Sequence, residues 1–147
     1  MSILEKLKND EINALKRGEQ LKLNTLRFLK SAVHNEEIAA GKAATEETII
    51  NVIQRQIKQR QESIEGFKAG NRADLVEKET AELEILRSYL PEQISEEEIR
   101  SAVERAIKET SAASTADIGK VMGRLSTELK GKANMSLVSN IVREKLS

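Results

Sequence analysis

A single proline interrupts the 147 residues of this chain, at Pro91. On both sides of it the apolar residues recur with the 3.6-residue period of helices, and glycines supply the other stops. Proline lacks a backbone N–H and drives the residue before it out of helical geometry. The segment Leu90-Pro91-Glu92-Gln93-Ile94 is therefore the expected boundary between a part covering residues 1–90 and a part covering residues 91–147.

Four helices are predicted before the boundary. The first starts at Ser2, with Glu5 three residues on as a capping box; it turns Leu4, Leu7 and Leu15 inward and ends near Gly18. The second runs from about Glu19 to Ala40, with Leu26, Leu29, Ala32 and Val33 on one face and Gly41 as its stop. Thr45 caps the third, which carries Ile50, Ile53, Ile57 and Ile64 as a stripe to about Lys68, loosened or ended by Gly66 and Gly70. The fourth covers about Arg72 to Leu90, with Leu75, Glu82, Leu86 and Tyr89 on one line and Val76, Leu83 and Leu90 on the next.

Three shorter helices follow. Ser95 with Glu98 repeats the capping-box pattern, and Ile99, Ala102, Val103, Ala106 and Ile107 form the cleanest amphipathic stripe of the chain. After the loop Thr110–Ser114, Ser114 with Asp117 starts a helix that buries Ile118, Val121, Met122, Leu125 and Leu129 and stops at Gly131. The last, from about Asn134 to Leu146, turns Val138, Ile141 and Val142 inward. The expected fold is all-α: a long-helix hairpin or bundle of about four helices, then a small three-helix bundle. Aromatic residues are only Phe28, Phe67 and Tyr89, so the core must be aliphatic.

Reactive chemistry finds little support. The absence of cysteine removes disulfides and Cys-based zinc sites together. His34 is the only histidine, too few for a zinc site of three or four ligands. No glycine pattern makes a phosphate loop, and no Ser-His-Asp set is available. The acidic runs Glu46-Glu47 and Glu96-Glu97-Glu98 sit at helix starts, where the macrodipole explains them. No cofactor, metal or catalytic residue is expected. With no apolar run of roughly 20 residues for a membrane span and no secretory signal, the expected location is the cytoplasm.

Charge is more informative in its distribution than in its sum. Lys+Arg and Asp+Glu both number 24. Residues 91–117 hold three basic and seven acidic side chains, and residues 118–147 hold six basic and two acidic. Lys120 and Arg124 lie one turn apart, and Lys130 and Lys132 flank Gly131. Gly119 and Gly123 fall inside a helix, where each costs about 1 kcal/mol relative to alanine. They share one flank, with Ser126 and Lys130 continuing the line. Such a stripe admits a close neighbour, either another helix or a sugar-phosphate backbone. A second polar and basic surface lies on the third helix, at Gln54, Arg55, Lys58, Gln59 and Arg60.

Three stretches carry a resemblance: Leu26-Arg27-Phe28-Leu29-Lys30-Ser31-Ala32; Tyr89-Leu90-Pro91-Glu92-Gln93 leading into Ser95-Glu96-Glu97-Glu98-Ile99; and Gly119-Lys120-Val121-Met122-Gly123 followed by Leu129-Lys130-Gly131-Lys132-Ala133-Asn134. Together they resemble the YqeY proteins over nearly the whole chain. That resemblance implies kinship with the C-terminal tail of the GatB subunit of glutamine-dependent aminoacyl-tRNA amidotransferases, a tail that grips tRNA while other domains catalyse. The family pattern carries over at Gly119, Lys120, Met122, Gly123, Lys130, Gly131, Lys132 and Ala133. Asn134 departs from it, since Asp is more usual there.

The resulting expectation is a non-catalytic RNA-binding module for tRNA or another structured RNA. Its contacts would come from Gly119, Lys120, Gly123, Arg124, Lys130, Gly131, Lys132 and Asn134. The alternatives are a helical protein–protein adaptor, docking on an aminoacyl-tRNA synthetase or an amidotransferase, and an accessory subunit of the amidotransferase itself. The family's label of carbon–nitrogen ligase with glutamine as amido donor needs an activated nucleophile and an ATP site, and the sequence displays neither.

Overall fold

A computed structural model describes residues 2–147. Among these residues the secondary structure is entirely helical: α1 (Ile3–Arg17), α2 (Gln20–Ala40), α3 (Glu46–Ala69), α4 (Ala73–Arg87), α5 (Glu96–Thr110), a 3-10 turn (Thr115–Asp117), α6 (Ile118–Leu129) and α7 (Met135–Leu146). The chain divides into two compact units, the first ending at Leu90 and the second spanning Pro91–Ser147.

The caps follow from local chemistry. Ser2, Thr45 and Ser95 each hold an extended backbone and accept, through the side-chain oxygen, from the N–H three residues on. One orphan donor of each first turn is thereby satisfied. Gly18 and Gly41 close α1 and α2 in the left-handed region, at φ 70° and 68°. At α3 one of the two expected stops holds: Gly70 ends the helix and Gly66 does not. The helix continues through Gly66 to Ala69, and Gly70 has φ −87°, so the left-handed residue after it is Asn71.

In the first unit α3 packs along α4, α1 along α2, and α2 against both α3 and α4. Leu7, Leu26, Leu29, Ile49, Ile53 and Leu86 are fully buried at its centre. Burying each such side chain contributes about 1.5–3 kcal/mol. Leu15 does not join them: it is 60% exposed, and Ala14 takes the inward position. Seven residues carry a helix about 20° short of two full turns, which puts Ala14 almost in line with Leu7 and leaves Leu15 well off the stripe.

In the second unit α5, α6 and α7 all pack on one another. Val103, Val121, Leu125, Val138, Ile141 and Val142 form its core. The start of α6 is more elaborate than the sequence indicates. Ser114 caps the 3-10 turn rather than α6, its Oγ accepting from the Ala116 N–H, and the Asp117 carboxylate accepts from the Ala113 N–H at 2.9 Å. That backbone hydrogen bond, with the Ser114 backbone and the charge of Lys120, holds the Asp117 carboxyl below the usual carboxylate range. Among the described residues no helix is long and apolar enough to cross a membrane.

Candidate nucleic-acid interface

Four of the eight expected contact residues stand on α6. Gly119 and Gly123 are one turn apart, as are Lys120 and Arg124, and all four are exposed. Residues i and i+4 share a helix face, so the glycines form one half of the solvent side and the basic pair the other. A Cβ built on Gly119 or Gly123 meets nothing within 4 Å. Of the two occupants the sequence allows for this flank, a neighbouring helix of the same unit is therefore absent. Ser126 and Thr127 keep the flank small, both hydroxyls folding back to donate to the Gly123 carbonyl.

The other four residues belong to the turn between α6 and α7. Lys130 ends α6, Gly131 is buried at φ 74°, Lys132 is exposed, and Asn134 caps α7 by accepting from the N–H groups of Ser136 and Leu137. The left-handed geometry at Gly131 reverses the chain where a side chain would cost energy. Ten steps of the helix from Lys120 to Lys130 put about 15 Å between them along the axis. The eight residues are thus two groups on one helix and its exit turn, not one closed pocket.

The turn is pinned from the boundary segment. The Gln93 side-chain amide donates to the Gly131 carbonyl at 2.5 Å and to the Pro91 carbonyl at 2.8 Å, and the Ile94 N–H donates to the Lys132 carbonyl at 3.0 Å. Gln93 is a positioning residue that the spacing of the sequence could not reveal, since its partner lies 38 residues away.

The separation of acidic and basic blocks along the sequence folds into cross-helix pairs. Arg124 of α6 meets Glu109 of α5 at 2.5 Å and Lys145 of α7 meets Glu104 of α5 at 2.6 Å; in the opposite sense Arg105 of α5 meets Glu128 of α6 at 3.4 Å, and Arg100 of α5 meets Glu144 of α7 at 3.3 Å as well as Glu96 on its own helix. All these pairs are solvent-exposed and individually worth little. Their effect is to spend part of the basic charge on α5. A groove of about 540 Å³ between α5 and α6 is lined by Glu97, Glu98 and Glu128 against Arg105 and Lys132, an acidic excess that disfavours a polyanion there. The open side of α6 is the face left for one.

In the first unit, the polar and basic surface expected on α3 is divided. Arg55 pairs with Glu36 at 2.8 Å, Lys58 is exposed, and Gln59 and Arg60 line a cleft. His34 is 70% exposed, its Nδ1 3.9 Å from Glu37. Among the described residues no group of three or more His, Asp or Glu side chains is arranged to hold a metal ion.

Comparison with known proteins adds to this geometry. The sequence profile of the family described as Yqey-like protein matches residues 4–146. A relative from Pyrenophora tritici-repentis, named "Altered inheritance of mitochondria protein 41, mitochondrial", is 34% identical over 97% of this chain and 80% of its own length. Proteins of the same name from Lachancea thermotolerans and Saccharomyces cerevisiae are 39% and 38% identical, over 70% and 57% of this chain. The matches span only 57% and 46% of those two yeast proteins. These names overturn the expected cytoplasmic location, because they place the relatives in mitochondria. A cysteine-free composition and the lack of a long apolar run do not distinguish the two compartments.

Proposed function

The chain belongs to the Yqey-like protein family, and from that premise we propose that its second unit is a non-catalytic module that holds tRNA or another folded RNA through backbone and shape contacts. The observation that carries this reading is the open glycine flank of α6 beside Lys120, with Arg124 one turn on shared with Glu109. Gly123 lies in the interior of α6, where glycine costs about 1 kcal/mol relative to alanine, Gly119 lies in its first turn, and no packed neighbour requires either. A sugar-phosphate backbone lying close to the helix, with cations along its edge, gives the cost a purpose. The second unit contains no aromatic residue, so base stacking plays no part and the RNA is read by shape.

The four helices before Pro91 and the three after it are, in this reading, two domains with separate tasks. Two apolar cores that share no residue support that division. Each unit expressed alone, residues 1–90 or 91–147, should then unfold as a single cooperative step in thermal melting.

Crosslinking tests the RNA assignment. Bulk tRNA irradiated with the intact protein should yield crosslinked peptides from residues 118–134. Crosslinks confined to the first ninety residues, or none, would overturn it. A second reading, docking of the first unit on a protein partner such as a synthetase or an amidotransferase, rests on Ile12, Leu15, Phe28 and Ile38, which expose large apolar side chains on α1 and α2. A stoichiometric protein retained after nuclease treatment is its signature.

A further inference from the structure

The outer face of α1 carries a stripe that the RNA reading does not use. Glu5, Lys8, Ile12 and Leu15 follow one another in steps of three and four, and Glu19 continues the spacing at the exit turn. Such a spacing forms the seam along which one helix meets another. All five residues are exposed, Ile12 at 52% and Leu15 at 60%. The core line of α1, Leu7 and Ala14, points elsewhere. Lys8 has no ion-pair partner among the described residues, and Glu19 meets Arg17 only loosely, at 4.0 Å. The order along the stripe is therefore acid, base, two apolar residues, acid.

From Lys8 to Glu19 that order is complementary to itself when reversed. A two-fold axis midway between Ile12 and Leu15 brings an antiparallel second α1 against the first, and each contact occurs twice. Ile12 then faces Leu15 of the copy, and Lys8 faces the copy's Glu19. Competing arrangements oppose like charges. An axis at Ile12 sets Glu5 against Glu19 and Lys8 against Lys16, and a parallel pairing sets every charge beside its own kind. Such repulsion disfavours both. We propose that this face of α1 docks on the same face of a second copy of the chain, antiparallel, in the register that joins Lys8 to Glu19. The pairs span about 17 Å of helix, which makes a small interface of the weak, transient class. The pairing does not depend on RNA binding.

The test is sedimentation equilibrium on the intact protein up to about 2 mM, with amide NMR on the same dilution series. Reversible dimers with a Kd of about 0.1–1 mM are expected, with concentration-dependent shifts centred on α1. Lys8→Glu and Glu19→Lys should each weaken association about tenfold, since each sets two pairs of like charges together. Mixing the two variants restores both pairs in the heterodimer, so the mixture should associate about as well as the unaltered chain. Ile12→Asp should abolish association. All these positions are exposed, and unshifted spectra of the dilute variants verify the fold. A chain that stays monomeric throughout, shifts centred outside α1, or a mixture no stronger than its two components would overturn the assignment; the first of these leaves the face to an unlike protein.

Discussion

The side-chain amide of Gln93 donates to the backbone carbonyl of Gly131 at 2.5 Å. The boundary segment thereby fixes the turn that presents Lys130 and Lys132. Replacing Gln93 with alanine removes the bond and leaves the carbonyl without that donor. A loss of about 1 kcal/mol is expected in urea unfolding, together with weaker RNA binding although no cation has changed. Unaltered binding would mean that the turn needs no support to function.

The glycines separate structure from function. Gly131 requires φ 74°, so Gly131→Ala should destabilise by about 1–2 kcal/mol. Gly119 and Gly123 are helical and open, so alanine at either should stabilise by about 0.4–1 kcal/mol. If a phosphate backbone lies against them, the double variant melts later and binds RNA less well. Thermal melting and binding measured on the same samples check both signs.

Tyr89 is buried and donates to the Asp10 carboxylate at 2.5 Å, with the Lys6 ammonium 4.8 Å from its ring centroid. Burial first, then the hydrogen bond to Asp10 and its charge, hold the phenol well above its ordinary pKa near 10. Below that pH the folded and unfolded chains both keep the proton, and the stabilisation is whole. Above it the unfolded chain loses the proton while the folded chain retains it, so stability falls as pH rises. Tyr89→Phe should lower the neutral-pH stability by about 1–2 kcal/mol and flatten that alkaline decline, as read by denaturant melts across pH.

Asn134 caps α7. Its Oδ1 accepts from the Ser136 N–H at 2.9 Å and the Leu137 N–H at 3.4 Å. Aspartate offers the same oxygen and adds a charge favoured at a helix start. Asn134→Asp should leave stability unchanged or slightly raised, whereas Asn134→Ala should cost about 1 kcal/mol. If RNA passes this turn, the added carboxylate weakens binding without unfolding anything, which melting and binding assays separate.

Local signals carried much of the fold. Ser2, Thr45 and Ser95 announce helix starts because an N-cap needs only its own next three residues, and the aliphatic stripes of α2 and α5 name their buried faces directly. What depends on residues distant in sequence was not legible. Gln93 finds its partner 38 positions away. Gln59 and Arg60 look like a solvated face until the carboxylates of Glu79 and Glu82 on α4 meet Arg60. The opposed charge blocks after Pro91 suggest a basic cradle, yet α5 lies beside α6 and α7, and its Glu109 and Glu104 pair with Arg124 and Lys145 of the basic set. The openness of the α6 glycines could only come from knowing what packs nearby.

The RNA assignment is tested most directly by titrating bulk tRNA into the intact protein over a series of salt concentrations, beside the variant Lys120→Glu, Lys130→Glu, Lys132→Glu. Neutralised phosphates release counterions, so log K should fall linearly with log salt, and the variant should bind more weakly with a shallower slope. Binding that is absent at low salt, indifferent to salt, or unchanged in the variant contradicts a polyanion lying along α6 and its exit turn.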